Sequence, residues 1–474
     1  MPFHHHFIAG ARVSSGATRR NINPSDTSDV IGEFSEAGAA EVDLAVRAAQ
    51  DALPQWSRST PQQRFDVLDF IGSELLARKQ ELGTLLAREE GKILPEAIGE
   101  VARAGYVFKF FAGEALRLGG QAIASVRANM EVITSREAVG VVALITPWNF
   151  PIAIPAWKTA PALACGNTVV LKPSELTPGC ASALADIIMR SGLPPGAFNL
   201  VLGDGVAGKA LVEHPSVDAV SFTGSVGTGK AIARHCTVHL KKFQLEMGGK
   251  NPLVVLDDAD LAVAVECAVN GAFFSTGQRC TASSRTIVTA SIYSVFRTAL
   301  VARTEALQVG NAMHASTQVG PVIDQRQLDK NLAYIGIGQE EGGSLLCGGQ
   351  RMPGTGYFFS PAIIENHDAQ ARLNQEEIFG PVTSLIRVKD FAEALQVANA
   401  TPYGLSGGIC TTSLASATRF RREMQAGMVM VNAPTAGVDY HVPFGGSKAS
   451  SFGPREQGGM AIEFYTRVKT HYLA

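Results

Sequence analysis

Val139-Gly140-Val141-Val142-Ala143-Leu144-Ile145-Thr146-Pro147-Trp148-Asn149-Phe150-Pro151 is the stretch on which the fold turns. Residues 41–115, upstream of it, read as helices. Val67, Leu68, Ile71, Leu75 and Leu76 recur at helical spacing, with Asp66, Asp69 and Glu74 between them. At Val141 the pattern changes: five apolar residues run without alternation and stop at a Thr-Pro turn. Such a run predicts a strand covered on both faces. It does not predict a membrane span, although residues 139–164 are the most apolar part of the chain. Pro147, Pro151, Pro155 and Pro161 interrupt them, and a span needs about 20 uninterrupted apolar residues.

Downstream, Thr168-Val169-Val170-Leu171, Phe198-Asn199-Leu200-Val201 and Ala219-Val220-Ser221-Phe222 repeat the strand pattern. Amphipathic stretches at 181–190 and 207–213 separate them. Buried strands alternating with helices predict a parallel α/β sheet. A second such series opens at Pro252-Leu253-Val254-Val255 and continues to about Val431, so two α/β domains in succession are expected. Two short segments fit neither series: 119–137, with Met130, Val132 and Thr134 alternating, and the end from Glu463, with Phe464, Thr466, Val468 and Thr470. Each reads equally as an edge hairpin of a parent sheet or as a strand presented to a second subunit.

At 474 residues the chain is too long for one ordinary core, which supports the two-domain reading. Its 46% hydrophobic and 18% charged residues describe an ordered globular protein. The formal charge of -2, without a basic cluster, points away from nucleic acid and membrane surfaces and toward a small-molecule partner. Seven scattered cysteines (165, 180, 236, 267, 280, 347 and 410) form no CxxC pair and no Cys/His ligand spacing. Neither a disulfide framework nor a metal site is expected, and a reducing, cytoplasmic setting fits best. Residues 1–10 lack a basic region followed by an apolar one, so they do not read as a secretory signal. His4, His5 and His6 are expected to be a solvated leader.

Two glycine loops follow strand-like runs. Gly203-Asp204-Gly205-Val206-Ala207-Gly208 matches GxGxxG, but the acidic residue expected about 20 positions later is missing. Gly224 to Lys230 has GxxxxGK spacing, yet Ala231 stands where a phosphate-binding P-loop needs Ser or Thr for magnesium. A helix opened by glycines and Ser225 still offers backbone N–H groups to a pyrophosphate. Alone, the loop is equally a capped strand-to-helix turn.

Two further motifs carry chemistry. Leu245-Glu246-Met247-Gly248-Gly249-Lys250-Asn251-Pro252 sets one carboxylate before paired glycines, and Phe274-Ser275-Thr276-Gly277-Gln278-Arg279-Cys280-Thr281 sets one cysteine after a Gly-Gln turn, 34 positions beyond Glu246. Alone, the cysteine would be a small buried apolar residue and the glutamate a solvated helix charge. Together, in this order and spacing, they resemble the aldehyde dehydrogenase superfamily. The resemblance spans essentially the whole chain. Thr146-Pro147-Trp148-Asn149-Phe150-Pro151, Lys172-Pro173-Ser174-Glu175, Glu376-Glu377-Ile378-Phe379-Gly380-Pro381 and Pro443-Phe444-Gly445-Gly446 are similar to its remaining motifs.

The resemblance implies an aldehyde-dehydrogenase-like α/β fold of two parallel-sheet domains plus a small β oligomerisation domain. It implies an NAD(P)-binding domain from 1–118 and 139–246, a catalytic domain at 247–445, and an oligomerisation domain from 119–138 and 446–474, in a homodimer or homotetramer. Cys280 is then the nucleophile, whose thiolate must be generated locally. The Asn149 side chain and the Cys280 N–H hold the oxyanion, Glu246 is the base for hydrolysis, and Lys172 joins the catalytic set. Cofactor contacts are implied for Ile145, Thr146, Pro147, Trp148, Lys172, Ser174, Glu175, Gly205, Thr223, Gly224, Ser225, Met247, Gly248, Glu377 and Phe379. Gly248 and Gly249 are expected to leave room for cofactor and substrate. Glu175, placed for ribose hydroxyls, favours NAD, while Ser174 beside it leaves NADP possible. Gly227, Arg285 and Asn432 match family positions as well, with a scaffold role equally open.

Glu246 points to hydrolysis rather than transfer to coenzyme A. Residues 151–158, the run Gly277 to Arg285, and residues 436–443 are similar to members acting on α-ketoglutaric semialdehyde (2,5-dioxovalerate) in sugar-acid catabolism. That substrate is a five-carbon 2-oxo acid with a terminal aldehyde. Arg279 suits its carboxylate, being able to pair with both oxygens, but an outward-packed Arg279 is equally open. Phe150, Trp157 and His441, or Tyr440 beside it, are the other candidate substrate contacts. Competing readings are another semialdehyde or an aromatic or aliphatic aldehyde as substrate, a non-catalytic structural scaffold, and a cysteine hydrolase. The last would need a histidine base that no motif supplies.

Overall fold

The computed structural model describes residues 2–474; Met1, the first residue of the stretch 1–10 that does not read as a secretory signal, lies outside them. Val141–Ile145 is a strand near the middle of an eight-stranded sheet. Thr168–Lys172 lies parallel on one side of it and Ala219–Thr223 parallel on the other. Phe198–Leu200 and Lys242–Glu246 extend the parallel core outward. Short antiparallel strands close the edges: Ser451–Phe452 beside Lys242–Glu246, and His6–Ile8 with Ala11–Val13 beyond Phe198–Leu200.

The unalternating strand has two buried faces because each meets its own layer. Val141, Ala143 and Ile145 pack in one cluster with Val42, Val46, Leu211 and Ile232, from the helices Ala39–Ser57, Gly205–Glu213 and Val226–Val238. Val142 and Leu144 pack in another with Leu68, Phe108, Leu163 and Leu184, from Pro61–Ala77, Leu94–Ala115, Ala153–Ala164 and Pro178–Met189. Each such aliphatic side chain contributes about 1.5–3 kcal/mol when removed from water. The chain runs outward from Val141–Ile145 through Thr168–Lys172 to Phe198–Leu200, then crosses back to Ala219–Thr223. The strand order therefore reverses at Val141–Ile145, and the crevice at its carboxyl end lies between Ile145 and Thr223.

A second sheet has seven strands in the order Ser344–Cys347, Ala362–Glu365, Val382–Val388, Ser283–Thr289, Asn251–Val255, Ser406–Cys410, Met428–Val431. Only the first runs antiparallel to its neighbour. The two odd segments pair with each other rather than with either parent sheet. Thr466–Leu473 lies antiparallel to Glu131–Ala138, from Thr466 opposite Ala138 to Leu473 opposite Glu131, and Ala122–Ala124 adds a third strand. No helix among the described residues is long and apolar enough to cross a membrane.

Two expectations need correction. The histidines are not a solvated leader: His4 ends a short strand beside Asp26–Ser35, and His6 is fully buried at the edge of the eight-stranded sheet. Burial pushes its imidazole down to about 4, so the neutral ring accepts from the Leu202 N–H at 3.1 Å. Nor does the chain from 446 onward belong entirely to the small sheet. Ser451 and Phe452 pair with Glu246 and Leu245, which brings Glu456 beneath the first sheet.

Candidate active site

The cysteine motif forms the loop between the helix Leu261–Phe273 and the strand Ser283–Thr289. Ser275, Thr276 and Gly277 all have positive φ, at 49°, 55° and 63°. The two non-glycine residues are strained there, so the surroundings must hold the turn. A Cβ at Gly277 would lie 2.4 Å from the Gly380 carbonyl oxygen, which excludes any larger residue. The Glu96 carboxylate accepts from the Ser275 N–H at 3.2 Å, the Ser275 hydroxyl at 3.1 Å and the Arg279 guanidinium at 2.9 Å. The Gln278 side chain accepts from the Ile323 N–H, and the Cys280 carbonyl accepts from Asn251 Nδ2 at 2.8 Å. Held in this way, half-buried Cys280 lines a cavity of about 650 Å³.

Asn149 and Glu246 line the same cavity, each at the carboxyl end of a strand of the first sheet. Asn149 is buried and donates one amide hydrogen to the Gln278 carbonyl at 2.9 Å, which leaves the other free of that bond. Its own carbonyl accepts from Lys92 at 2.8 Å. Lys92 is paired in turn with Glu100, which accepts from the Ile152 and Ala153 N–H groups opening the next helix. Glu246 ends Lys242–Glu246 and accepts from the Ser451 hydroxyl at 2.6 Å. Behind it, Glu456 accepts from Lys158, from Trp157 Nε1 at 2.7 Å and from Gln244 at 2.8 Å.

Burial dominates the electrostatics. It pushes the Cys280 thiol up to about 12, assisted by the charges of Glu246 and Glu377, which favours the neutral thiol. Burial also raises Glu246 well above the usual carboxylate range; repulsion from Glu456 adds to it, and the Ser451 hydrogen bond opposes it. A carboxylate raised in this way is a stronger base than a solvated one.

The expected cofactor residues fall into two groups. Pro147, Trp148, Thr223, Gly224, Ser225, Met247, Gly248, Glu377 and Phe379 line the cavity with Cys280. Phe379 has φ +67° and sets its ring edge-on to Trp148, with centroids 5.5 Å apart. Ile145, Thr146, Lys172, Ser174, Glu175 and Gly205 do not line that cavity; they lie at the carboxyl ends of Val141–Ile145 and Thr168–Lys172, in the turns that follow, and at the start of the helix Gly205–Glu213. Lys172, expected in the catalytic set, donates instead to the carbonyls of Pro173 and Gly203, and burial pulls its amine down to about 8. The crevice suits a dinucleotide. The Thr146 and Thr223 hydroxyls are buried without partners at its two sides, and Ser225 caps the helix Val226–Val238, whose first N–H groups open toward it. Gly248 and Gly249 do make room, but for protein. A Cβ at Gly248 would lie 2.3 Å from the Glu377 carboxylate, and one at Gly249 2.6 Å from the Cys280 carbonyl.

Of the expected substrate contacts, Phe150, Trp157 and Arg279 line the cavity. The Arg279 guanidinium is already held by Glu96 and the Ser275 hydroxyl. His441 is exposed outside, near Phe110 and Tyr440. Arg285 donates to the carbonyls of Lys250, Val397 and Ala398, and the Asn432 side chain bonds both ways with the Thr411 backbone, which makes both scaffold residues. Sequence reasoning missed Lys92, Glu96, Glu100, Arg103, Lys158, Ser451 and Glu456. Glu96, Glu100 and Arg103 were findable as an i, i+4, i+7 face, but a charged helix face ordinarily reads as solvated.

A family model described as the aldehyde dehydrogenase family matches residues 12–471. The chain is 43% identical to the alpha-ketoglutaric semialdehyde dehydrogenase of Bacillus subtilis (strain 168), over 98% of this chain and 97% of that protein. It is 40% identical to the 2,5-dioxopentanoate dehydrogenase of Saccharolobus solfataricus, over 97% and 96%. Among solved structures, the betaine aldehyde dehydrogenase of Staphylococcus aureus in complex with NAD+ superposes with a TM-score of 0.97 at 36% identity, covering 99% of this chain and 94% of that one.

Proposed function

Because the chain belongs to the aldehyde dehydrogenase family, an NAD(P)-dependent group oxidising aldehydes to acids, we propose that it acts on α-ketoglutaric semialdehyde, through Cys280 and with NAD. The observation that carries the mechanism is the meeting of Cys280, the Asn149 amide and the Glu246 carboxyl in one cavity. The Cys280 thiol gives its proton to solvent and its sulfur adds to the aldehyde carbon. The resulting oxyanion accepts from Asn149 Nδ2 and the Cys280 N–H, donors fixed before the charge develops. The cofactor, when bound, supplies the acceptor for the hydride that turns this adduct into a thioester. Glu246 then takes a proton from water as its oxygen attacks the thioester carbon; the carboxylic acid leaves and the cysteine sulfur regains a proton. Thr146, Thr223, Ser225 and the start of Val226–Val238 hold the dinucleotide, with Glu377 and Phe379 at its nicotinamide end. Lys172, Ser174, Glu175 and Gly205 serve its adenosine end.

The substrate assignment rests on what two relatives at 40–43% identity are said to oxidise, and on charge in the cavity wall. Arg103 and Arg279 both line it, which an uncharged aromatic or aliphatic aldehyde would not require. A cysteine hydrolase is disfavoured, since no histidine among the described residues lines the cavity. The three-stranded sheet leaves Ile123, Val468, Tyr472 and Leu473 exposed, and it serves as the subunit contact of a homodimer or homotetramer.

Reduced-cofactor absorbance across an aldehyde panel tests the reading. The expected result is a kcat/KM for α-ketoglutaric semialdehyde at least about tenfold above that for pentanal or benzaldehyde, as one charged hydrogen bond implies. A preference for benzaldehyde would remove the substrate assignment and leave the family reaction standing.

A further inference from the structure

Two guanidiniums line the cavity, and they differ in what already holds them. Arg279 is paired with Glu96 at 2.9 Å and donates to the Ser275 hydroxyl. Among the described residues, Arg103 has no carboxylate within ion-pair distance and one side-chain hydrogen bond, from Nη2 to Gln457 Oε1 at 3.0 Å, and its Nε–H is buried with no acceptor. Of the two carboxylates whose fields reach it most strongly, Glu100 is committed to Lys92 and to two backbone N–H groups, while Asp439, next to the cavity-lining Val438, stands outside ion-pair distance. The guanidinium carbon lies 5.7 Å from the centre of the Trp157 ring, and Glu456 fixes that ring through Nε1.

A cationic group with an orphaned donor is costly to keep out of water unless a ligand completes it. We propose that Arg103 is the seat of the substrate's remote carboxylate, taking its two oxygens on Nε–H and an Nη–H above the Trp157 ring. Arg279 remains with Glu96 and positions the cysteine loop. A carboxylate approaching Arg279 would meet Glu96, whereas one approaching Arg103 meets a guanidinium with no carboxylate paired to it. Placement agrees: Glu96 touches the cysteine loop, and Arg103 lies seven residues further along the same helix face, about 10 Å away along the axis. Arg103 and the thiol face one cavity, near enough for the charge of Cys280 to reach the guanidinium. This inference rests on the reading that the substrate is a carboxylated aldehyde.

The test compares wild type, Arg103→Met, Arg103→Lys and Arg279→Met. Each is assayed with α-ketoglutaric semialdehyde and with pentanal, and for competitive inhibition by glutarate, a dicarboxylate of the same length. Arg103→Met is expected to lower the ratio of the two kcat/KM values roughly 10- to 150-fold, chiefly through KM for the charged substrate, and to weaken glutarate in parallel. Arg103→Lys should retain part of both, which keeps the test readable if the Met variant folds poorly. Arg279→Met should slow both aldehydes alike through the loop. If wild type prefers the charged aldehyde and binds glutarate, but the Arg103 variants keep that ratio, the inference is overturned, and a fall in Arg279→Met would assign the role there. If wild type shows neither preference nor glutarate inhibition, the substrate reading itself fails.

Discussion

Asn149 and Glu246 stand at the carboxyl ends of strands and Cys280 in the loop that enters another, whereas Glu96, Glu100 and Arg103 stand on one face of the helix Leu94–Ala115. The two sides of the cavity are built from different material and do different work. A loop can take the positive φ of Ser275 and Thr276 and can turn a backbone N–H toward a reacting atom. A helix spends its N–H groups internally and offers only side chains, at fixed intervals. Bond-making chemistry therefore belongs to the strand ends, and charge selection and loop support to the helix face. The lesson is one of division: changes on the strand ends should stop the reaction, and changes on the helix face should redirect or loosen it.

Three experiments press on that division. The largest effect should come from Cys280→Ala. Loss of the only sulfur in the cavity able to carry the acyl group should lower turnover of every aldehyde by at least about 10⁴-fold, measured as reduced cofactor under saturating substrate. Residual turnover within tenfold of wild type would mean that the strand ends do not carry the chemistry. The Arg103 and Arg279 comparison comes next, because it separates selection from positioning within the helical wall. The smallest effect is expected at the adenosine end, remote from both. Glu175 is half-buried, its carboxylate accepts no hydrogen bond from the described residues, and it should repel the 2′-phosphate of NADP. Wild type should prefer NAD, and Glu175→Gln should narrow the NAD/NADP ratio of kcat/KM roughly fivefold, the size of a partly exposed charge contact of about 1 kcal/mol. A ratio unmoved by the substitution, or a wild-type preference for NADP, would take Glu175 out of cofactor choice.

The same division explains what could be read from the sequence. Val141–Ile145 announced a doubly covered strand, because five consecutive buried positions leave no alternation, and the structure buries all five. The signatures around Glu246 and Cys280 stood out because strained loops accept few residues: Gly277 and Gly249 each lie against a carbonyl that a Cβ would strike. The helix face left no such mark. Glu96, Glu100 and Arg103 follow helical spacing that a solvated face would also show, and only packing against the cysteine loop and the Trp157 ring gives them a site. Glu456 was hidden for another reason. It lies 210 positions beyond Glu246 in the chain and reaches it only because Ser451–Phe452 pairs with Lys242–Glu246, a register that no local pattern encodes. His6 misled because three adjacent histidines look solvated, while strand geometry turns the third inward.

The central claim is that Cys280 carries the acyl group and Glu246 releases it. Glu246→Gln should separate the two halves of the reaction. In rapid mixing, the variant is expected to give a burst of reduced cofactor approaching one equivalent per active site, followed by a steady rate about 10²- to 10⁴-fold below wild type. Acid quench during the steady phase, followed by mass measurement of the peptide bearing Cys280, should show the added mass of the acyl thioester. A burst lost in proportion to the steady rate, with an unmodified Cys280 peptide, would contradict the account. Glu246 would then act before the hydride step rather than after it.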